Sequence, residues 1–133
     1  MRVTRFNHVG LNADGHDAAV REFYFTLLGM RDFERNAVAA QVQGFWAGGD
    51  WPSVHVVTEP ATGHGALARG PHLSLFVDDI DAAVESARQY TSQLLHIGSG
   101  AGQILWFRDP AGNVVELQQD PEVPYPAAVR AVP

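Results

Sequence analysis

Hydrophobic and polar positions follow two different periods, and both periods occur twice along the chain in the same order. Residues 3–11 alternate as a half-buried strand does, and residues 17–28 show apolar side chains at helical spacing. The apolar face of this predicted helix consists of Val20, Phe23, Tyr24, Leu27 and Leu28. Asp17 is positioned to cap the helix, and Gly29 is positioned to end it.

The remaining pattern completes two similar halves. In the first half, strands are predicted near 30–35, 38–46 and 53–58, followed by a Gly-rich link over 60–70. The second half predicts a strand at 72–77, a helix at 81–91, and strands near 93–97, 103–108 and 113–118. Each half therefore has the order βαβββ, and the predicted fold class is α+β. Residues 120–133 contain four prolines and no clear period, which predicts an extended or disordered tail.

Two pairs of matching segments indicate an internal duplication. His8-Val9-Gly10-Leu11 matches His72-Leu73-Ser74-Leu75 at an offset of 64 residues. Residues 54–60 match 115–121 at an offset of 61. We interpret residues 1–119 as one domain with two modules, 1–62 and 63–119.

Strand parity gathers the candidate chemistry on one face. Because side chains alternate across a strand, His8, His72 and Glu116 should point away from the helices. His55 occupies the place of Glu116 in the repeat. A lone strand histidine is usually structural and a lone Glu at a strand end is usually solvated, but three such residues at repeat-equivalent positions with one parity favour a metal site. Imidazoles and a carboxylate suit Zn, Ni, Fe or Mn. His16, in a predicted loop, should be exposed, as should His64.

Composition narrows the function classes. The chain has 133 residues, no cysteine, nine basic and fifteen acidic residues, and a net charge of −6. This balance disfavours nucleic-acid and anionic-membrane partners, which require a basic face. The N-terminus lacks the apolar core of a signal peptide, and no apolar run approaches the ~20 residues that span a bilayer. A cytoplasmic protein is the simplest expectation.

The sequence resembles the vicinal oxygen chelate superfamily, which includes glyoxalases, bleomycin-resistance proteins and extradiol dioxygenases. The resemblance covers roughly residues 3–119, and its marks are Phe6-Asn7-His8-Val9, Phe23-Tyr24 with Leu28-Gly29-Met30, Pro71-His72-Leu73, Val77-Asp78-Asp79-Ile80-Asp81 and residues 107–117. It implies two βαβββ modules forming a cupped, barrel-like mixed sheet with the helices outside. It also implies ligands on the first, fourth, fifth and eighth strands, which carry His8, His55, His72 and Glu116.

The resemblance leaves the reaction open between two metal chemistries. Glyoxalase I-like members use four ligands, and here His55 replaces a Glu, so that Glu116 is the remaining base for a lyase- or isomerase-type proton transfer. Extradiol dioxygenases bind Fe²⁺ with two His and one Glu, which His8, His72 and Glu116 match, and His55 would then act as acid–base catalyst. The dioxygenase motif is weakened here, because Trp106 replaces its Tyr and the spacer after His96 is long.

Other classes receive less weight. Fosfomycin-resistance transferases also use two His and a Glu, but their antibiotic-binding loop has no counterpart here. Metal-free drug-binding proteins fit the acidic balance and the aromatic residues Phe45, Trp46, Trp51, Phe76 and Trp106, but they need no ligand set. The glycines of 98–102 predict a hairpin loop, because a phosphate loop would need Gly-Lys-Ser/Thr.

We therefore favour a metal-dependent lyase or isomerase acting on a small molecule with two adjacent oxygens. The resemblance further implies a homodimer with sites near the interface. In such a dimer His8 and His55 would come from one subunit, and His72 and Glu116 from its partner.

Overall fold

A computed structural model of the chain describes residues 1–34, 42–63 and 65–126. The described strands are β1 (Val3–Asn12), β2 (Arg31–Phe33), β3 (Gly44–Gly48), β4 (Pro52–Val57), β5 (His72–Val77), β6 (Leu94–Ile97), β7 (Ile104–Arg108) and β8 (Val114–Gln119). The described helices are α1 (Asp17–Arg21), a π-helix (Glu22–Leu27), α2 (Ala66–Arg69), α3 (Ile80–Tyr90) and a 3₁₀ turn (Gly100–Gly102). Within these residues no helix is long and apolar enough to cross a membrane.

The chain divides into two compact units, here called the first unit (His8–His72) and the second unit (Met1–Asn7 with Leu73–Pro133). In the first unit the strand order is β2-β3-β4-β1, with β1 parallel to β4 and the other pairs antiparallel. In the second unit the order is β1-β5-β8-β7-β6, and β6, β7 and β8 pair antiparallel. The eight strands form a mixed sheet, and the predicted α+β class is confirmed.

Each unit packs an apolar core against its own helix. In the first unit Ala13, Phe45, Ala47 and Val56 form the buried cluster, flanked by Val20, Tyr24, Phe25, Met30 and Val54. In the second unit the cluster consists of Val77, Ile80, Ala83, Val84, Ala87, Leu105 and Leu117. Asp79 caps α3 by accepting a hydrogen bond from the Ala82 amide at 3.0 Å, which fixes where this helix begins.

The predicted helix over 17–28 is only partly correct. After Arg21 the backbone widens into a π-helix, and the Leu28 amide donates to the Phe23 carbonyl, five residues back, at 3.0 Å. This wider turn rotates the later side chains off the 3.6-residue stripe. Leu27 and Leu28, expected in the core, are consequently 71% and 53% exposed. The cap prediction is also wrong, because His16 is the N-cap and Asp17 lies in the first turn.

Two connections differ from their predictions. The strand expected over 38–46 is observed at Gly44–Gly48, where pairing with β4 fixes it, and residues 35–41 lie outside the described part of the chain. The link over 60–70 contains helix α2, which begins after Gly65 in a left-handed conformation. Local pattern does not reveal either feature, since both depend on tertiary partners.

The predicted tail is partly ordered. The Tyr125 hydroxyl donates to Asp81 at 2.6 Å, and its ring packs on the core of the second unit. This hydrogen bond raises the pKa of Tyr125 above its ordinary value. Residues 127–133 lie outside the described part.

A buried carboxylate joins the start of β1 to the end of β8 within the second unit. Asp120, 3% exposed, accepts from Arg5 Nη2 at 2.8 Å, from Arg5 Nε at 3.1 Å and from the Thr4 hydroxyl at 2.6 Å. Chiefly because of the hydrogen bond from Arg5, the pKa of Asp120 is lowered from 3.8 to about 2. A carboxylate with a depressed pKa stabilises the fold above its unfolded pKa, and this contribution is lost as the pH falls through its folded pKa.

We therefore expect Asp120→Asn to lower the free energy of unfolding at neutral pH by about 1–3 kcal/mol, because it removes charged hydrogen bonds. Urea unfolding between pH 2 and 7 measures this. The wild type should lose stability between about pH 4 and pH 2, and the variant should show a flatter dependence in this window. Asp50→Asn, at an exposed carboxylate, is the matched control. Equal pH profiles for the two variants would contradict the role of Asp120.

Candidate metal centre

Three of the four predicted ligands come together in the first unit. His8 lies on β1, His55 lies on β4, and His72 is the first residue of β5. Because Gly10 pairs with His55 in the parallel register, His8, two residues earlier, shares the face of His55. The three side chains are buried, and one ligand atom from each lies within 4.8 Å of the others.

The ring of His72 has a defined orientation and a defined neighbour. Its Nδ1 lies 2.8 Å from the Gly70 carbonyl, which can only accept, so we assign the ring proton to Nδ1. Its Nε2 then faces His8 Nε2 at 3.4 Å. A backbone carbonyl on the far nitrogen is the usual support of a metal-bound histidine, because it fixes tautomer and ring plane.

The segment that carries this carbonyl is itself fixed. The Asn12 side-chain amide donates to the backbone carbonyls of Glu59 at 2.7 Å and Arg69 at 3.0 Å. Arg69 Nε donates to the Glu59 carboxylate at 2.9 Å, and the Gly70 amide donates to the Ala66 carbonyl at 2.9 Å. Helix α2 therefore holds the Gly70 carbonyl in place for His72.

Gly10 provides the space for the imidazole of His72. A Cβ on Gly10 would lie 2.0–2.4 Å from three ring atoms of His72. Any larger residue would displace the ring, since contacts this short do not occur. Gly10 is therefore required sterically, although it contributes no polar atom.

Trp46 forms a wall of the histidine cluster. It lies directly across from His55 in the β3–β4 register. The two rings stack at 4.3 Å with an interplanar angle of 3°, and His8 meets the indole edge-on at 4.6 Å. Trp46 thus contacts two of the three histidines.

The fourth predicted ligand, Glu116, lies on β8 in the second unit. It is buried, and it accepts hydrogen bonds from the Ser74 hydroxyl at 2.7 Å, Trp106 Nε1 at 2.7 Å and Gln118 Nε2 at 2.6 Å. All three groups donate, so Glu116 acts as a hydrogen-bond acceptor in each of these contacts. Its part in a shared site with the histidines stays a prediction.

The remaining histidines have other surroundings. His16 is exposed, as predicted, and His64 lies outside the described residues. His96 contacts Gln103 Oε1 at 2.8 Å and Arg88 at 3.4 Å, which gives it a structural environment. The sequence analysis did not identify the steric role of Gly10. It included Trp46 only as a candidate for drug binding, although its strand position was a usable signal.

The donor set fits a divalent transition metal. Two nitrogens bound to one tetrahedral zinc at roughly 2.0–2.1 Å lie about 3.3–3.4 Å apart, and the His8–His72 separation of 3.4 Å matches this spacing. Neutral imidazole nitrogens suit Zn, Ni, Fe and Cu, whereas Ca and Mg prefer oxygen ligands. These three buried histidines can therefore hold a metal ion.

Comparison with known proteins agrees with the fold and the residue pattern. The sequence model of the Glyoxalase/Bleomycin resistance protein/Dioxygenase superfamily matches residues 5–117. The chain belongs to this superfamily. A comparison with curated proteins finds no match.

Solved structures of this superfamily resemble the chain in fold. Homoprotocatechuate 2,3-dioxygenase from Brevibacterium fuscum has a TM-score of 0.62 at 16% identity over 89% of this chain, which spans only 33% of the dioxygenase. A methylmalonyl-CoA epimerase variant from Streptomyces coelicolor has a TM-score of 0.60 at 20% identity, covering 90% of this chain and 99% of the epimerase. A superfamily member from Vibrio splendidus has a TM-score of 0.61 at 16% identity, covering 88% of this chain and 100% of the Vibrio protein.

The geometry predicts that Gly10→Ala abolishes tight metal binding while the chain still folds. The added methyl group occupies the space of the His72 ring, and we expect metal affinity to fall at least 10- to 100-fold, as when the orientation of a ligand is disturbed. Gly49→Ala is the matched control, because a Cβ there meets nothing within 4 Å. Chelator competition measures the affinity, and circular dichroism checks the fold. Unchanged affinity in Gly10→Ala would disprove the steric role.

Proposed function

We propose that the protein is a divalent-metal-dependent enzyme of the lyase or isomerase type. It would transfer a proton on a small substrate that carries two adjacent oxygens. The observation that carries this proposal is the cluster of His8, His55 and His72, whose ligand atoms lie within 4.8 Å of one another in a buried site. A protein that only sequesters a ligand needs no such cluster.

His8, His72 and His55 would hold the metal, with Glu116 as the fourth ligand. When bound, the ion would act as a Lewis acid that stabilises negative charge developing on the substrate oxygens. The Gly70 carbonyl keeps the Nε2 lone pair of His72 directed at His8. The stacked Trp46 ring covers one face of His55 and keeps water from it.

The proton transfer requires a base, and Glu116 suits that task. Its carboxylate is buried and positioned by Ser74, Trp106 and Gln118, so that little reorganisation precedes proton uptake. The carboxylate would take the proton from carbon and return it to the neighbouring atom, which balances the reaction without an external acid. His55 is the second candidate for this role.

The likeness to methylmalonyl-CoA epimerase supports the isomerase proposal through chain length alone. The epimerase is matched over nearly its whole length, whereas the chain corresponds to only a third of the dioxygenase. At these identities the likeness reports the fold alone. It supports the proposal only by showing that a chain of this size suffices for an isomerase.

One observation favours an Fe²⁺ dioxygenase as the second candidate. The Nε2 atoms of His8 and His72 lie 3.4 Å apart, close to the spacing of two ligands on one metal, whereas the His55 ring is stacked on Trp46. His55 would then stand outside a set of His8, His72 and Glu116 and act as acid–base catalyst. The metal itself distinguishes the two candidates.

Elemental analysis of protein purified without added metal or chelator tests the proposal. Nickel, zinc or cobalt would support the lyase or isomerase, iron would support oxygenation, and no metal at any pH would favour a binding protein. His72→Ala should lower metal content sharply, and His16→Ala, at an exposed histidine, should not. In His55→Ala, metal loss marks a ligand, whereas retained metal with lost turnover marks an acid–base residue.

We also propose that the protein forms a homodimer. The π-helix leaves Phe23, Leu27 and Leu28 exposed at 47%, 71% and 53%, and exposed apolar groups favour association. His8, His55 and His72 meet within one chain. Glu116 is therefore the proposed ligand that a partner subunit would contribute.

Mixing His8→Ala chains with Glu116→Ala chains tests the shared site. If Glu116 joins the histidines of a partner chain, each heterodimer regains one complete ligand set, and the mixture binds more metal than either variant alone. If each chain uses its own Glu116, mixing restores nothing. A monomeric mass by light scattering would end the dimer proposal and leave the metal site untouched.

A further inference from the structure

Each unit places a tryptophan directly opposite the candidate ligand on its last strand. In the first unit Trp46 pairs with His55 in the β3–β4 register. In the second unit Trp106 pairs with Glu116 in the β7–β8 register. The two pairs occupy equivalent places in the duplicated order of strands, since each joins the third and fourth strands of its βαβββ half.

The two tryptophans use different parts of the indole. Trp46 stacks on the His55 ring at 4.3 Å with an interplanar angle of 3°, so the contact is made by the ring face. Trp106 donates its Nε1–H to Glu116 Oε2 at 2.7 Å, so the contact is made by the only polar atom of the side chain. Trp106 is 5% exposed, which strengthens this hydrogen bond because little water competes for the carboxylate.

The difference matches the chemistry of each partner. An imidazole used as a ligand must keep a nitrogen lone pair, and a ring face restricts its rotation without occupying either nitrogen. A carboxylate has several acceptor positions, so one can be given to an N–H while another remains for a metal or a proton. Stacking on the imidazole therefore restricts its orientation without using a ring nitrogen, and donation to the carboxylate fixes its orientation through one oxygen.

We propose that Trp46 and Trp106 are equivalent positioning residues, which orient His55 through the ring face and Glu116 through the indole N–H. The inference rests on the proposed metal site. It extends that site beyond the ligands to one supporting tryptophan in each unit. The ring face of Trp46 and the N–H of Trp106 are the properties that matter, and each can be removed separately.

Substitutions separate the two modes. Trp46→Phe keeps an aromatic face and should change metal affinity less than about 3-fold, whereas Trp46→Leu removes the face and should weaken binding roughly 10-fold. Trp106→Phe keeps a ring but removes the N–H, and it should also weaken binding roughly 10-fold. Trp51→Phe, at a residue 51% exposed, is the control for loss of a tryptophan.

The measurements are chelator competition and the visible absorption of bound Co²⁺, which reports the number and arrangement of the ligands. Trp46→Leu and Trp106→Phe should shift the Co²⁺ bands, whereas Trp46→Phe and Trp51→Phe should retain the wild-type spectrum. A residue needed only for folding would lower thermal stability without changing this spectrum in the folded protein.

Three outcomes separate the inference from the proposed function. If His72→Ala loses metal but the Trp46 and Trp106 variants all behave as Trp51→Phe does, the inference is overturned and the metal site stands. If Trp46→Phe weakens binding as much as Trp46→Leu does, the ring-face role is overturned. If the wild type binds no metal, the proposed function fails and the inference fails with it.

Discussion

The hydrogen bond between His72 Nδ1 and the Gly70 carbonyl, at 2.8 Å, controls the geometry of the histidine cluster. It decides which nitrogen carries the proton and directs the other toward His8. The ring can adopt this position only because Gly10 has no side chain, since a Cβ would lie 2.0–2.4 Å from the ring. The Gly70 carbonyl and the missing side chain of Gly10 thus determine whether the Nε2 atoms of His8 and His72 approach to 3.4 Å.

This constraint explains why the connection before β5 is structured. If the segment were free to move, the Gly70 carbonyl would move with it and His72 would lose its orientation. Asn12 bridges two backbone carbonyls of the segment, and the ion pair between Arg69 and Glu59 closes it at 2.9 Å. A partly exposed ion pair contributes little to stability, so its value lies in fixing the geometry of the segment.

The sequence predicted the elements that depend on local period and missed those that depend on tertiary contacts. Strand β5 was predicted with its observed bounds, and strand parity together with the repeat match placed His8 and His55 on one face, because side-chain alternation is a property of the strand itself. The π-helix was not predictable, since an apolar spacing of three and four does not reveal a five-residue hydrogen bond. The role of Gly10 was also hidden, because it depends on a side chain sixty-two residues away.

The duplicated order of strands has diverged in its polar chemistry while keeping its backbone positions. At the offset of 64 residues, Gly10 corresponds to Ser74. Gly10 makes room for an imidazole, whereas the Ser74 hydroxyl donates to Glu116 at 2.7 Å. Trp46 and Trp106 differ in the same way, since the first offers a ring face and the second an N–H. The first unit thus favours neutral imidazoles, which need space and stacking, and the second unit favours a carboxylate, which needs donors. A duplication that kept the same residues at both places could not supply nitrogen ligands and a hydrogen-bonded carboxylate together. The chemical asymmetry between the two units therefore places a cluster of buried imidazoles in one unit and a hydrogen-bonded carboxylate in the other.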